Sequence, residues 1–172
     1  MKWKEATVHC QAAFSDDEKY RYLLTKTWDA DKPIAAVLML NPSTAEEIKL
    51  DRTIMNLTNY LVDHGFGTLS VINLFAYRST DPSKLNQAKQ DQGQVNDQFI
   101  LSTCSAADMV IIGWTRNGNI NRKRQVASLL AHLSCTFKCF RDKEGVFPRH
   151  PSLLNPSWEL IDYDFTFIER EH

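Results

Sequence analysis

The chain has 172 residues, of which 43% are hydrophobic, enough for a single core covered on both sides and needing no second domain. A formal net charge of -1 excludes a large uniform attraction to nucleic acid, while local basic clusters can still meet phosphates. Cysteines at 10, 104, 135 and 139 form no CxxC pair, and no apolar run forms a signal core or reaches the length of a membrane span, so a reduced cytoplasmic protein with no metal, no cofactor and no membrane partner is expected.

Residues 6 to 14 (ATVHCQAAF) and 20 to 28 (YRYLLTKTW) carry aromatic and β-branched residues on either side of the charged turn SDDEK. They predict an antiparallel hairpin over about 6–28 that extends or covers an edge of the main sheet. The core, about 33–158, opens on Ile34 to Ala45, IAAVLMLNPSTA, in which seven apolar residues without a charge lead into Asn-Pro-Ser-Thr. A continuous run this short predicts a strand buried on both faces, the pattern of a parallel sheet. Pro42 cannot continue a ladder, so the chain turns there. Asn41, Ser43 and Thr44 then place short polar side chains at the strand's carboxyl end, where open α/β sheets bind ligands. A turn followed by a helix N-cap accounts for NPST equally well on local grounds.

The segment DRTIMNLTNYLVDHGFG sets Ile54, Leu57, Leu61 and Val62 at helical spacing, with Asp51 or Thr53 as cap and Gly65 as stop. Leu69 to Phe75 is a second buried strand, and Asn73 is its anomaly: a carboxamide near the end of an apolar run either ties neighbouring loops together or reads a ligand. The polar loop AYRSTDPSKL follows, and residues 94 to 105 predict a helix with Val95, Phe99 and Ile100 inward. Met109 to Trp114 is a third buried strand, and RKRQVASLLAHL a helix whose inner face is Val126, Leu129, Leu130 and Leu133. Arg122 to Arg124 crowd the start of that helix, where positive charge opposes the macrodipole and points toward an anionic partner. Lys138, Arg141, Lys143 and Arg149 form a second basic region, and solvated surface is the plainer account of both. Ser134 to Phe140 is the fourth strand, and the alternating Tyr163, Phe165 and Phe167 predict one late strand. Strands alternating with helices place the chain in the α/β class: a three-layer sandwich whose mostly parallel central sheet has at least four strands, the first lying between the second and third.

NPSTA with Asp51 and Thr53 downstream, VINLFAYR, a strand ending near GW, and then RHP resemble a bacterial and phage family catalogued as domain of unknown function 1643, over most of the chain. That family brings no activity with it. A more distant resemblance is to the uracil-DNA glycosylase superfamily, whose first parallel strand ends in a catalytic-water motif, in some branches Gly-x-Asn-Pro-Gly, and Leu40 to Ser43 are similar to it. The second strand of that superfamily carries a base-reading Asn, matched by Asn73, and a His-Pro-Ser motif follows its fourth strand, matched by His150, Pro151 and Ser152. Ser43 departs from the usual Gly, the gap before His-Pro-Ser is longer than the likeness leads one to expect, and LLNPS replaces a short DNA-intercalating loop.

The resemblance implies a uracil-DNA-glycosylase-like fold and a set of roles. Asn41 would orient water, His150 would donate to the base oxygen and Asp51 would assist, as the catalytic group. Asn73 would read the base edge, with Phe75 or Tyr77 stacking and Ser43, Thr44, Arg78, Arg149 and Ser152 completing the substrate contacts. Cleaving a base from its sugar needs such an orienting group, a donor to the departing base and a pocket that reads its edge. Asn accepts no proton, so an enzyme of this kind relies on positioning. The expectation is a nucleobase-recognising protein, a glycosylase-like hydrolase acting on a base in nucleic acid or nucleotide. A non-catalytic nucleotide- or nucleic-acid-binding module, or an interaction domain whose cleft has lost its ligand, fits the same residues.

Overall fold

The computed structural model describes residues 1–43, 45–78, 93–116 and 119–170. Its strands are β1 (His9–Phe14), β2 (Arg21–Thr27), β3 (Ile34–Met39), β4 (Thr68–Asn73), β5 (Met109–Ile112), β6 (Thr136–Arg141) and β7 (Glu159–Asp162), and its helices α1 (Arg52–Asp63), α2 (Gly93–Ala106) and α3 (Ile120–Leu130). The strands form one seven-stranded sheet in the order β1-β2-β4-β3-β5-β6-β7. Its middle, β4-β3-β5-β6, is parallel. The hairpin β1-β2 joins β4 antiparallel, and β7 closes the far edge antiparallel to β6. The hairpin thus extends the sheet rather than covering it. β3 does lie between β4 and β5, so the chain leaves β3 toward one side and β5 toward the other, the switch point beyond whose carboxyl ends open α/β sheets bind ligands.

Alternation along the buried strands divides the core between the two faces. Ala36, Leu38, Ile72, Val110 and Ile112 pack against Ile100 and Cys104 of α2 and Val126 and Leu130 of α3. Val37, Met39, Leu69, Val71 and Ile111 meet Ile54, Leu57 and Leu61 of α1 on the other face. Every one of these strand residues is buried, which explains why the sequence shows continuous apolar runs rather than alternation. Full burial of each Val, Leu, Ile or Met side chain among them is worth roughly 1.5–3 kcal/mol before chain entropy is charged against it.

Several local expectations are corrected. Val62 is 49% exposed because the inward stripe of α1 is Thr53, Ile54, Leu57 and Leu61. Val95 is also exposed, and Asn96 takes its place. The reason is polar: Asn96 Nδ2 donates to the carbonyls of Asn73 and Leu74, at 3.0 and 3.1 Å, where the β4 chain leaves the sheet. The tail forms its strand at Glu159–Asp162, but Phe165 and Phe167 sit in a 3-10 helix, Phe165–Arg170, where their rings pack around Tyr163. Cys135 precedes β6 rather than sharing a strand face with Cys139. Most of the predicted polar loop after Arg78 lies outside the described residues. Among the described residues no helix is long and apolar enough to cross a membrane.

Candidate functional site at the carboxyl end of the sheet

Beyond β3 the chain turns at Asn41, whose Nδ2 donates to the Pro42 carbonyl at 3.1 Å. Ser43 donates its hydroxyl to Oδ2 of Asp51, while Asp51 Oδ1 accepts from the Ile54 N–H at 2.8 Å. One carboxylate therefore caps α1 and fastens the turn to it, and Asp51, not Thr53, is the cap. Thr44 lies outside the described residues.

His150 reaches the same region from β6. Pro151 begins a 3-10 turn, Pro151–Leu153, and the Ser152 N–H donates to His150 Nδ1 at 3.2 Å. Asn56 of α1 clamps this turn by donating to the carbonyls of Pro151 and Ser152, at 3.2 and 3.0 Å. Below it lies Gly113, just past β5, where a Cβ would meet Pro151 Cδ at 3.3 Å and Met39 Cγ at 3.4 Å. The His-Pro-Ser turn thus sits over the junction of β3 and β5. Burial holds the His150 imidazole below its ordinary pKa, and the charge of Asp51 partly offsets this. The ring is then neutral near pH 7. Because Nδ1 accepts a hydrogen bond, its proton resides on Nε2.

Asn73 ends β4 in register with Met39, and strand alternation turns it to the α1 face with Leu69 and Val71. It is 1% exposed, and neither its Nδ2 nor its Oδ1 has a hydrogen-bond partner among the described residues. A carboxamide left so costs on the order of 1–3 kcal/mol for each unpaired group.

Arg21 was not legible as a site residue. Ala13 pairs Leu23 but Phe14 pairs Arg21, so Tyr22 is an extra residue bulged from β2. Tyr22 stacks on Phe99 of α2, with ring centroids 5.2 Å apart, while Leu24 belongs to the α1-side core. The bulge shifts the phase, and Arg21 reaches back to donate to the Ala45 carbonyl at the exit of the NPST turn. Its guanidinium is 1% exposed with Nε unpartnered among the described residues. Burial pushes its pKa down to about 10, Asp51 opposing that shift and Arg78 reinforcing it. The only signal in the sequence is a cation between two tyrosines of a predicted strand, and a bulge leaves no mark in a periodicity.

The other expected site residues divide. Arg78 pairs with Glu46 at 2.9 Å and lies over the Phe14 ring, and Arg149 pairs with Asp142 at 3.1 Å and lies over Trp158. Phe75 and Tyr77 line a separate cleft of about 260 Å3 with the N-terminal residues of α2 and α3. The basic clusters are spent within the fold. Arg122 holds Asp97 and the Leu74 carbonyl, Arg124 pairs with Glu169, and Lys138 and Arg141 pair with Asp162 and Glu159. Lys123, 1% exposed, donates to the carbonyls of Thr115 and Arg116 at 2.7 and 3.0 Å. Ser43, Asp51, His150, Ser152 and Arg21 therefore share the α1 side of the carboxyl edge. Asn41 begins the turn there, Asn73 faces the same side, and Phe75 and Tyr77 belong to the other. Among the described residues no group of three or more His, Cys, Asp or Glu is placed to hold a metal ion.

A family model described as Protein of unknown function (DUF1643) matches residues 21–152. The chain belongs to that family. The DUF1643 match runs from Arg21 to Ser152, so it takes in every element around Asn41, Asn73 and His150 and leaves out β1 and β7 at the sheet's edges. No curated protein and no solved structure matches the chain.

Proposed function

We infer that this DUF1643 chain recognises a nucleobase on the α1 side of its carboxyl edge and acts as a glycosylase-like hydrolase on a base in nucleic acid or nucleotide. The observation that carries this reading is the Asn73 carboxamide, buried with donor and acceptor both unpaired. A base edge presents an acceptor beside a donor and would satisfy both atoms at once. Asn73 is closed off from solvent, so entry of a base requires the neighbouring turns to part. The resemblance to the uracil-DNA glycosylase superfamily is supported by placement: Asn41 follows β3, Asn73 ends β4, and His150 follows β6, the first, second and fourth parallel strands.

In this chemistry the glycosidic electron pair leaves with the base, and the Nε2–H of a neutral His150 donates to the oxygen where charge collects. Water held by Asn41 adds to the sugar carbon and loses its proton to solvent. Asp51, already accepting from Ser43 and Ile54, stabilises the cationic sugar through space. That double engagement also favours a second reading, a module that binds a base without turnover, since a carboxylate so occupied is a poor general base. The test is a panel of uracil, hypoxanthine and alkylated or oxidised bases in single- and double-stranded DNA and RNA, with free nucleotides alongside. Base release lost in Asn41→Ala and His150→Ala marks the enzyme, binding without release marks the module, and neither sinks both.

A further inference from the structure

We propose that the cleft on the α2/α3 face is a second binding site, one that takes the base of a nucleotide independently of Asn73. The two lie on opposite faces of the sheet, so this site does not rest on the reading above. Its volume, about 260 Å3, falls just below the ~300 Å3 at which pockets for drug-sized ligands begin, a size for one heterocycle and not for a dinucleotide. Tyr20 and Tyr77 meet edge to face at 5.6 Å on one side, with Phe75 beside them, which supplies an aromatic wall for a planar ring.

The second observation is polar. Asn96 also lines the cleft and is 3% exposed; its Nδ2 is committed to the carbonyls of Asn73 and Leu74, but its Oδ1 has no donor among the described residues and, itself closed to solvent, is reached by a ligand as the cleft opens around it. What is missing is therefore an N–H or O–H, which a base's amino or imino group provides and a phosphate or carboxylate does not. Asn121 and Gln125, exposed on the first turns of α3, add amides at the mouth that can bond a heterocycle edge. Arg122 is neutralised by Asp97, so the cleft does not select its ligand by a free cation.

The experiment titrates AMP, GMP, CMP and UMP into the isotopically labelled full chain and follows main-chain amide shifts, with ribose 5-phosphate and inorganic phosphate as base-free controls. A nucleotide is expected to move the amides of Phe75, Tyr77, Asn96 and Asn121, and the base-free controls are not. Tyr77→Ala should weaken binding about tenfold by loss of stacking, and Gln125→Ala, at an exposed position that the fold does not need, about fivefold. Asn73→Leu should leave these shifts unchanged. Silence of these amides with all four nucleotides, equal shifts from ribose 5-phosphate, or undiminished affinity in both variants would overturn the proposal. Cleft shifts in the wild-type chain with no base bound at Asn73 would count against the preceding reading alone.

Discussion

The hydroxyl of Ser43 donates to the same carboxylate, Asp51, that caps α1 at Ile54, so the turn after β3 and the helix that follows it are pinned by one side chain. Asp51→Ala removes the cap and the pin together and should lower unfolding free energy by about 1–2 kcal/mol in urea titration. Ser43→Ala should cost less, roughly 1 kcal/mol, because only the pin is lost. Equal effects from the two variants would show that the capping bond contributes nothing.

Asn73 sets stability against function. Replacing it with Leu removes two unpaired polar atoms from an apolar layer, so the variant should be more stable than wild type by roughly 1–2 kcal/mol while losing base binding. A marked loss of stability in Asn73→Leu would mean that the carboxamide is satisfied in solution and serves the fold.

His150 makes stability depend on acid. Unfolded imidazole takes its proton near pH ~6.5, whereas burial holds the folded group lower, so in the interval between the two the unfolded chain binds more protons. The contribution is fully present above ~6.5 and falls as pH drops toward the folded value. His150→Gln should flatten this part of a melting-temperature profile. An unchanged slope would show that another group titrates. If the enzyme reading holds, His150→Ala should slow turnover with a loss of roughly 3 kcal/mol, by analogy with one oxyanion donor.

Gly113 permits the His-Pro-Ser turn to settle on the β3–β5 junction. In Gly113→Ala the new Cβ would press on Pro151 Cδ at 3.3 Å, so the turn must give by a few tenths of an ångström. Turnover or base affinity should fall while melting temperature changes little. A wild-type binding constant in this variant would show that the turn's position is not critical.

The parallel sheet was legible because β3 and β5 are buried on both faces and so read as unbroken apolar runs, while β4 carries Thr68 and Ser70 among its apolar residues and ends on the Asn73 carboxamide. The N-cap was narrowed to two residues by its spacing, and geometry chose Asp51. Arg21 was hidden by the bulge at Tyr22, and Lys123 by its place in a basic string, between half-buried Arg122 and exposed Arg124. Phe75 and Tyr77 follow Asn73 closely in sequence, yet the chain leaves β4 immediately, and backbone direction beyond a strand end cannot be read from periodicity.

The account stands or falls on Asn73 reading a base, and the decisive measurement is base preference in wild type and Asn73→Asp, by equilibrium binding across the panel at fixed salt. Exchanging the amide for a carboxylate removes a two-hydrogen donor, so the variant should lose affinity for bases that offer an acceptor at that position by about tenfold or more and shift its preference toward bases that offer donors. Binding of every base with the same affinity and order in both proteins would contradict it.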